Sequence, residues 1–282
     1  MKVQIHRYRD PALFLNRATP FLLRAEAENN LFLGMGGRPG SPPPVLGEQC
    51  YLATIEQADE VVACAVRTPP YGVVITRAEP SALESLIDDL ASNYETLPSV
   101  LGPEPAVSTF AQRWSQRAGT RTRPLMRMRL FEARHVQPAE LHAPGVLRIA
   151  EESDLPTVTP WAVAFHHEAR TSNPVDPVRA TREDLANHRL FVWDNRGAVS
   201  MAIWAGRTER SVRIGIVYTP PEHRRLGYAS ACVAALTQRL LNEGIAFCCI
   251  NTDVTNPTTN KIYPAIGYRP VCDISNIDLN AG

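Results

Sequence analysis

The sequence predicts an α/β protein (α+β in detail) made of two copies of one mixed, mostly antiparallel sheet flanked by helices. Strand-like and helix-like segments alternate along the 282 residues. The order β-α-(α)-β-β-β-α-β-α-β reads through each half, and prolines and a glycine interrupt the pattern around residues 135–150. These observations place domains at 1–140 and 141–282.

In the first half, Val3–Tyr8 reads as a strand, and Leu13, Leu15, Phe21 and Leu22 mark a long helical region. The stretch GMGGRPGSPPP follows. Its Gly34–Gly40 part reads as a connector and not as a phosphate loop, because Pro39 and the later prolines interrupt it. Strand-like runs come next at Cys50–Ile55, Val61–Val66 and Gly72–Thr76. A helix is expected from Ser81 to about Tyr94, with Leu83, Leu86, Ile87 and Leu90 on one face, and Met126–Phe131 closes the half as a strand.

The second half opens with a strand at Val146–Ala150 and a helix over Leu155–Arg170. Thr181–His188 reads as a helix capped by Thr181. Strands follow at Phe191–Trp193, Val199–Trp204 and Val212–Thr219. Gly227–Asn242 is an amphipathic helix with Ala229, Val233, Leu236 and Leu240 on its packing face and Gly244 as its C-cap. A strand at Ala246–Asn251, a helix at Pro257–Ile266 capped by Asn256, and a strand from Tyr268 complete the pattern.

Apolar residues make up 44% and charged residues 21%, and the formal charge is zero. This is a globular profile without a nucleic-acid tract or polybasic membrane anchor. No apolar run reaches membrane-spanning length and the N-terminus lacks a signal-peptide core, so a cytoplasmic protein is expected. The six cysteines form no Cys-x-x-Cys pair and read as small apolar residues in a reduced compartment. No His-x-Glu pattern or cysteine cluster points to a metal.

Two motifs carry chemistry. In TPPEHRRLGYAS, Thr219–Ser230, a glycine and two arginines precede the amphipathic helix. The first-turn amides of that helix, the positive end of its dipole, Gly227 and small Ala229 together suit a diphosphate. The competing reading is a solvated arginine loop. In NPTTNKIYPAIGYRP, Asn256, Thr259 (or Asn260) and Tyr263 fall at helical intervals, which puts a polar face outward while Ile262 and Ile266 pack inward.

Together these motifs resemble the GCN5-related N-acetyltransferases (GNAT). The family's acyl-CoA loop, Arg/Gln-x-x-Gly-x-Gly/Ala, is matched by Arg224, Gly227 and Ala229. Its later Asn, Tyr and Gly-Tyr/Phe signature is matched by Asn256, Tyr263 and Gly267–Tyr268. The resemblance covers about residues 146–282. It implies acetyl-CoA as cosubstrate, held along the preceding strand by the backbone of Val217, Tyr218 and Thr219. The loop Arg224, Arg225, Leu226, Gly227, Tyr228, Ala229 and Ser230 would hold its diphosphate, with Asn256, Thr259 and Tyr263 lining the other side. Thr219 stands where the family more often has an aliphatic residue. The first half has VITRAEPSALESL at the corresponding place, with Glu79 and Glu84 where carboxylates would repel a diphosphate, so one cofactor site per chain is expected.

The implied reaction is direct acetyl transfer to a primary amine of a small molecule or peptide, an acyltransferase activity of class EC 2.3.1.-. Tyr263 is the candidate acid for the leaving thiolate, and Glu168 in FHHEAR the candidate base, with His166 and His167 competing. Glu151, Glu152, Asp176, Glu183 and Asp184 could line an acceptor pocket or serve as helix caps and a solvated face. The alternative function is a non-catalytic acyl-CoA-binding or sensing protein; a scaffold is a third reading. Nucleic acid and membrane are not expected partners, and the chain is expected to be a monomer or homodimer.

Overall fold

A computed structural model gives the fold. The structure describes residues 3–35, 50–137, 143–169 and 176–281. The chain forms two compact units that are not contiguous in sequence. Unit 1 is Met1–Leu130 with Asn251–Pro257 and Pro270–Gly282; unit 2 is Phe131–Ile250 with Thr258–Arg269. A single cut at 140/141 does not describe them, because the C-terminal strand lies with the N-terminal unit.

Unit 1 contains β1 (Val3–Tyr8), α1 (Pro11–Leu22), α2 (Asn30–Gly34), β2 (Tyr51–Gln57), β3 (Glu60–Arg67), β4 (Val73–Ile75), α3 (Pro80–Asn93), β5 (Ser99–Pro103), α4 (Ala106–Ala118) and most of β6 (Arg121–Ala133). It also holds nearly all of the C-terminal strand, Arg269–Ala281. That strand pairs antiparallel with β5, Ile277 opposite Val100, while β4 and β5 are parallel, Val73 opposite Val100. The remaining described pairs, β1–β2, β2–β3 and β3–β4, are antiparallel.

Strand alternation divides the core of unit 1 into two layers. Tyr51, Ala53 and Ile55 of β2 join Leu83, Leu86 and Leu90 of α3 and Phe110 and Trp114 of α4. The residue between the first two, Leu52, faces the other way with Phe14 and Leu22 of α1. Phe110 and Trp114 stack at 6.1 Å between centroids; burying side chains of this kind contributes about 2–3 kcal/mol each. Local chemistry sets the helix starts: the Asp10 carboxylate accepts the Ala12 N–H at 2.8 Å ahead of Pro11, and Pro80 opens α3.

Unit 2 contains β7 (Val146–Ile149), α5 (Leu155–Glu168), α6 (Pro177–Ala186), β8 (Leu190–Asp194), β9 (Ala198–Ala205), β10 (Ser211–Tyr218), α7 (Tyr228–Asn242), the start of β11 (Phe247–Asp253) and α8 (Thr259–Ala265); the C-terminal strand is β12. The order β7-β8-β9-β10-β11 is antiparallel except for the parallel β10–β11 pair. Each unit thus carries one described parallel pair joined by a helix, β4-α3-β5 and β10-α7-β11. Cys248 and Cys249 are both fully buried, so both faces of β11 are covered there, and all six cysteines are free thiols.

Two helix starts differ from expectation. α6 begins at Pro177 because Asp176 caps it, accepting the Val178 N–H at 2.9 Å; Thr181 lies inside the helix and donates its hydroxyl to the Pro177 carbonyl. α8 begins only at Thr259, with Thr258 as its N-cap, so Pro257 is not helical and Asn256 is not the cap. Asn256 instead closes a turn, its N–H donating to the Asp253 carbonyl at 3.0 Å. The connector beyond Met35 and Arg170, the expected end of the helix from Leu155, lie outside the described residues; the helix itself ends at Glu168 with Ala169 as its C-cap.

Candidate active site

The site in unit 2 starts from the end of β10. Pairing of β10 with β11 runs from Ser211–Phe247 to Ile214–Ile250, yet β10 continues to Tyr218. On the β9 side the register shifts between Gly215 and Tyr218, and Ile216 has φ +44. A β-branched residue in the left-handed region is strained by about 1–3 kcal/mol, and such bulges turn backbone groups out of the ladder. A Cβ on Gly215 would meet nothing within 4 Å, so the space beside the strand is open.

The end of the strand is fastened to β9 and to the following loop. The Ser200 hydroxyl donates to the Tyr218 carbonyl at 3.1 Å and bonds the Thr219 hydroxyl at 2.8 Å. Arg224 Nε donates to the Thr219 carbonyl at 2.9 Å. Thr219 is therefore a tether through its hydroxyl. Val217 is half-buried and packs against the core under α7.

The loop ahead of α7 has two left-handed residues, Arg225 at φ +65 and Gly227 at φ +82. Gly227 is the N-cap of α7 and no side chain caps the helix. A Cβ at this position would find only Ala143 Cβ at 3.6 Å, so conformation rather than space calls for glycine. Arg224, Arg225, Leu226 and Gly227 are exposed, Ala229 and Ser230 half-buried. Tyr228 turns inward: its hydroxyl accepts Asn195 Nδ2 at 2.9 Å and its ring lies 6.2 Å from His223, so it offers a ligand only backbone. Uncapped amides at a helix N-terminus, an αL glycine and two flanking guanidinium groups fit a diphosphate.

Glu168 is the last residue of α5, and its side chain reaches this loop. Arg224 Nη2 donates to both its carboxylate oxygens, at 2.9 and 2.8 Å, and the Tyr218 hydroxyl donates to Oε1 at 3.0 Å. The Arg224 guanidinium also lies 5.5 Å from the Tyr218 ring centre. Burial, then the Glu168 hydrogen bond, raises the Tyr218 phenol above its ordinary pKa. Trp161 stands 6.4 Å from Tyr218, and partial burial holds the His166 imidazole below its ordinary pKa. The link between residues 168 and 224 was not read from the sequence, since nothing local signals it.

Tyr263 differs from the cleft-facing residue expected. Because α8 starts at Thr259, Tyr263 falls on the same inward face as Ile266, 5% exposed, with Phe131 at 6.2 Å and Tyr268 at 5.8 Å. Burial pushes its phenol pKa well up, so the hydroxyl stays protonated near neutrality. Thr259 is half-buried at the start of α8, whereas Asn256 is exposed and belongs to unit 1.

The acidic residues considered for an acceptor pocket have structural duties. Asp176 caps α6, Glu183 pairs with Arg179, and Asp184 pairs with Arg189. Glu151 and Asp154 form a capping box ahead of α5, which leaves Glu152 exposed beside it. Among the described residues no cluster of three or more His, Cys, Asp or Glu side chains could hold a metal.

Comparison with known proteins bears on the fold. Residues 194–274 match the family model described as FR47-like protein. An acetyltransferase of the GNAT family from Colwellia psychrerythraea superposes with a TM-score of 0.57 at 10% identity, covering 99% of each chain. A GCN5-related N-acetyltransferase from Sphaerobacter thermophilus gives 0.59 at 16% identity, covering 99% of this chain and 96% of that one. The chain thus has the fold of these acetyltransferases. A tandem GNAT protein from the clavulanic acid biosynthesis pathway matches over 100% of both chains, with a TM-score of 0.59 and 14% identity. No curated protein matches the sequence.

The turn that joins the parallel pair of unit 1, between β4 and α3, is built differently. Its N-cap is Glu79 in extended conformation, Pro80 takes the first helical position, and none of residues 77–80 has positive φ. Glu84, one turn on, pairs with Arg113. A carboxylate and a proline thus stand where the loop before α7 has an αL glycine and free amides. Among the described residues, no helix is long and apolar enough to cross a membrane.

Proposed function

We propose that the protein is an N-acetyltransferase that moves an acetyl group from acetyl-CoA directly to a primary amine of a small molecule or peptide, using one cofactor site, in unit 2. The observation that carries this is the uncapped N-terminus of α7 behind Gly227 at φ +82, with Arg224 and Arg225 beside it. When bound, acetyl-CoA supplies the acyl thioester. The amides of Gly227, Tyr228 and Ala229 and the Ser230 hydroxyl bind its diphosphate, and the backbone of Val217, Tyr218 and Thr219 orients the pantetheine arm as an added strand. A backbone N–H at the Gly215–Tyr218 bulge stabilises charge on the carbonyl oxygen.

An alkylammonium must lose a proton before it attacks. His166, held neutral by burial, is the acceptor in this reading. Glu168, with both oxygens engaged by Arg224, is a positioning residue that fixes Tyr218 and the loop. Tyr263 keeps its proton through neutral pH and, although its ring packs in the core, is in this reading the donor to the departing thiolate. Thr259 completes the cofactor contacts within unit 2.

The test is thiol release from acetyl-CoA by the purified protein with a panel of amines, followed by product mass. Amine-dependent release with an acetylated product of added mass supports the reading. CoA binding with no release on any amine would leave an acyl-CoA sensor.

A further inference from the structure

A cavity of about 960 Å³ lies within unit 1, where β1 and β3 end and β2 begins. This is the end of the sheet opposite the turn between β4 and α3. Its volume is in the range of small-molecule sites. Three arginines line it: Arg7 near the end of β1, Arg9 just beyond, and Arg67, the last residue of β3.

Two of these guanidinium groups are held in place with donors to spare. Arg67 lies 4.1 Å from the centre of the Tyr94 ring, and its Nε donates to the Tyr71 carbonyl at 3.2 Å, which leaves both Nη groups uncommitted. Arg7 donates through Nη1 to Asn93 Oδ1 and approaches Asp89 through Nε at 3.8 Å, which leaves Nη2. Arg9 is exposed and makes no ion pair or hydrogen bond among the described residues. Asp89 is turned to the Tyr51 hydroxyl, which donates to it at 2.7 Å, so Glu95 is the one acidic side chain on the lining. Arg7 bonds α3 through Asn93 and Arg67 packs on Tyr94, whereas no described ion pair or hydrogen bond accounts for Arg9 on the lining.

We propose that this cavity binds a small molecule bearing a multiply charged phosphate group. Guanidinium forks grip such oxyanions in paired hydrogen bonds, and the volume exceeds what one phosphate fills, so the group is carried on a larger organic body. The site is independent of the acetyltransferase reading.

The test is calorimetric titration of inorganic pyrophosphate, with citrate in parallel, into the full-length protein saturated with CoA. We expect saturable binding of one pyrophosphate per chain that weakens with added salt. Arg9→Glu and Arg67→Met should each weaken it at least tenfold. No saturable binding, citrate binding without pyrophosphate, or binding indifferent to Arg9→Glu would overturn the proposal. Arg9 is exposed, so Arg9→Glu decides even if Arg67→Met fails to fold, and it reads this cavity whether or not CoA binds at α7.

Discussion

Arg224 and Glu168, 56 residues apart in sequence, form a two-oxygen ion pair, with Nη2 at 2.9 and 2.8 Å from the carboxylate. The same guanidinium bonds the Thr219 carbonyl, so one side chain joins the end of α5, the end of β10 and the loop before α7. The carboxylate is also where a free base had been expected. Arg224→Ala should weaken acetyl-CoA binding by about 10- to 100-fold, the scale of a charge-assisted contact. Glu168→Gln should change kcat less than tenfold and keep the acid limb of the pH–rate profile. A Glu168→Gln enzyme that lost that limb would restore the base role to the carboxylate.

His166 carries the opposite expectation. Burial lowers its pKa, and the neutral imidazole is the form that takes a proton. The rate should therefore rise with pH through a value below the ordinary histidine pKa of about 6.5. His166→Gln should remove that rise and slow turnover by about 100-fold or more. A pH–rate profile unchanged in the variant would point to proton loss through water.

Tyr263→Phe removes a hydroxyl that has no hydrogen bond among the described residues, and keeps the ring that packs against Phe131 and Tyr268. Stability and CoA affinity should hold while kcat drops by about 100-fold. Unchanged turnover would reduce Tyr263 to a packing residue.

The first turn of unit 2 depends on Arg148, which bonds Asp154 at 2.6 and 2.8 Å and Asp194 at 2.7 Å. The Arg148 hydrogen bond, chiefly, holds the Asp154 carboxyl below its ordinary pKa. A depressed folded pKa means stability present above the unfolded value and lost as pH falls through the folded one. The melting temperature should thus decline below about pH 4. Arg148→Met should cost on the order of 2 kcal/mol at neutral pH, less than for a fully buried pair because the side chain is a third exposed, and should flatten the acid decline. Thermal melts across pH check both.

What the sequence disclosed was local. The αL glycine and amphipathic face of α7, the hairpin strands and the helical spacing of Leu83, Leu86, Ile87 and Leu90 all follow from neighbours along the chain. Asp176 and Pro177 carry a cap signal as clear as any, but the apolar pattern begins late and points to Thr181 instead. Likewise Asn256–Pro257 reads as a cap and first turn, but Asp253 draws the backbone and the Thr255 side chain into a separate turn, and α8 starts later. That shift of a few residues turns the Tyr263 ring onto the face that packs with Ile266. β5 and α4 were implied by the repeating order but not located, although Val107, Phe110, Ala111 and Trp114 have helical spacing. The pairing of β12 with β5 and the Arg224–Glu168 bond are long-range, and no periodicity encodes them.

The claim that everything else rests on is that a diphosphate binds the open amides of α7. Calorimetry with CoA and with pantetheine, on the native protein and on Gly227→Asp, measures it directly. The account predicts that CoA binds the native protein at least about 100-fold more tightly than pantetheine, which lacks the diphosphate, and that a carboxylate at position 227 abolishes that preference. Equal affinities in the native protein, or a preference that survives Gly227→Asp, would contradict it.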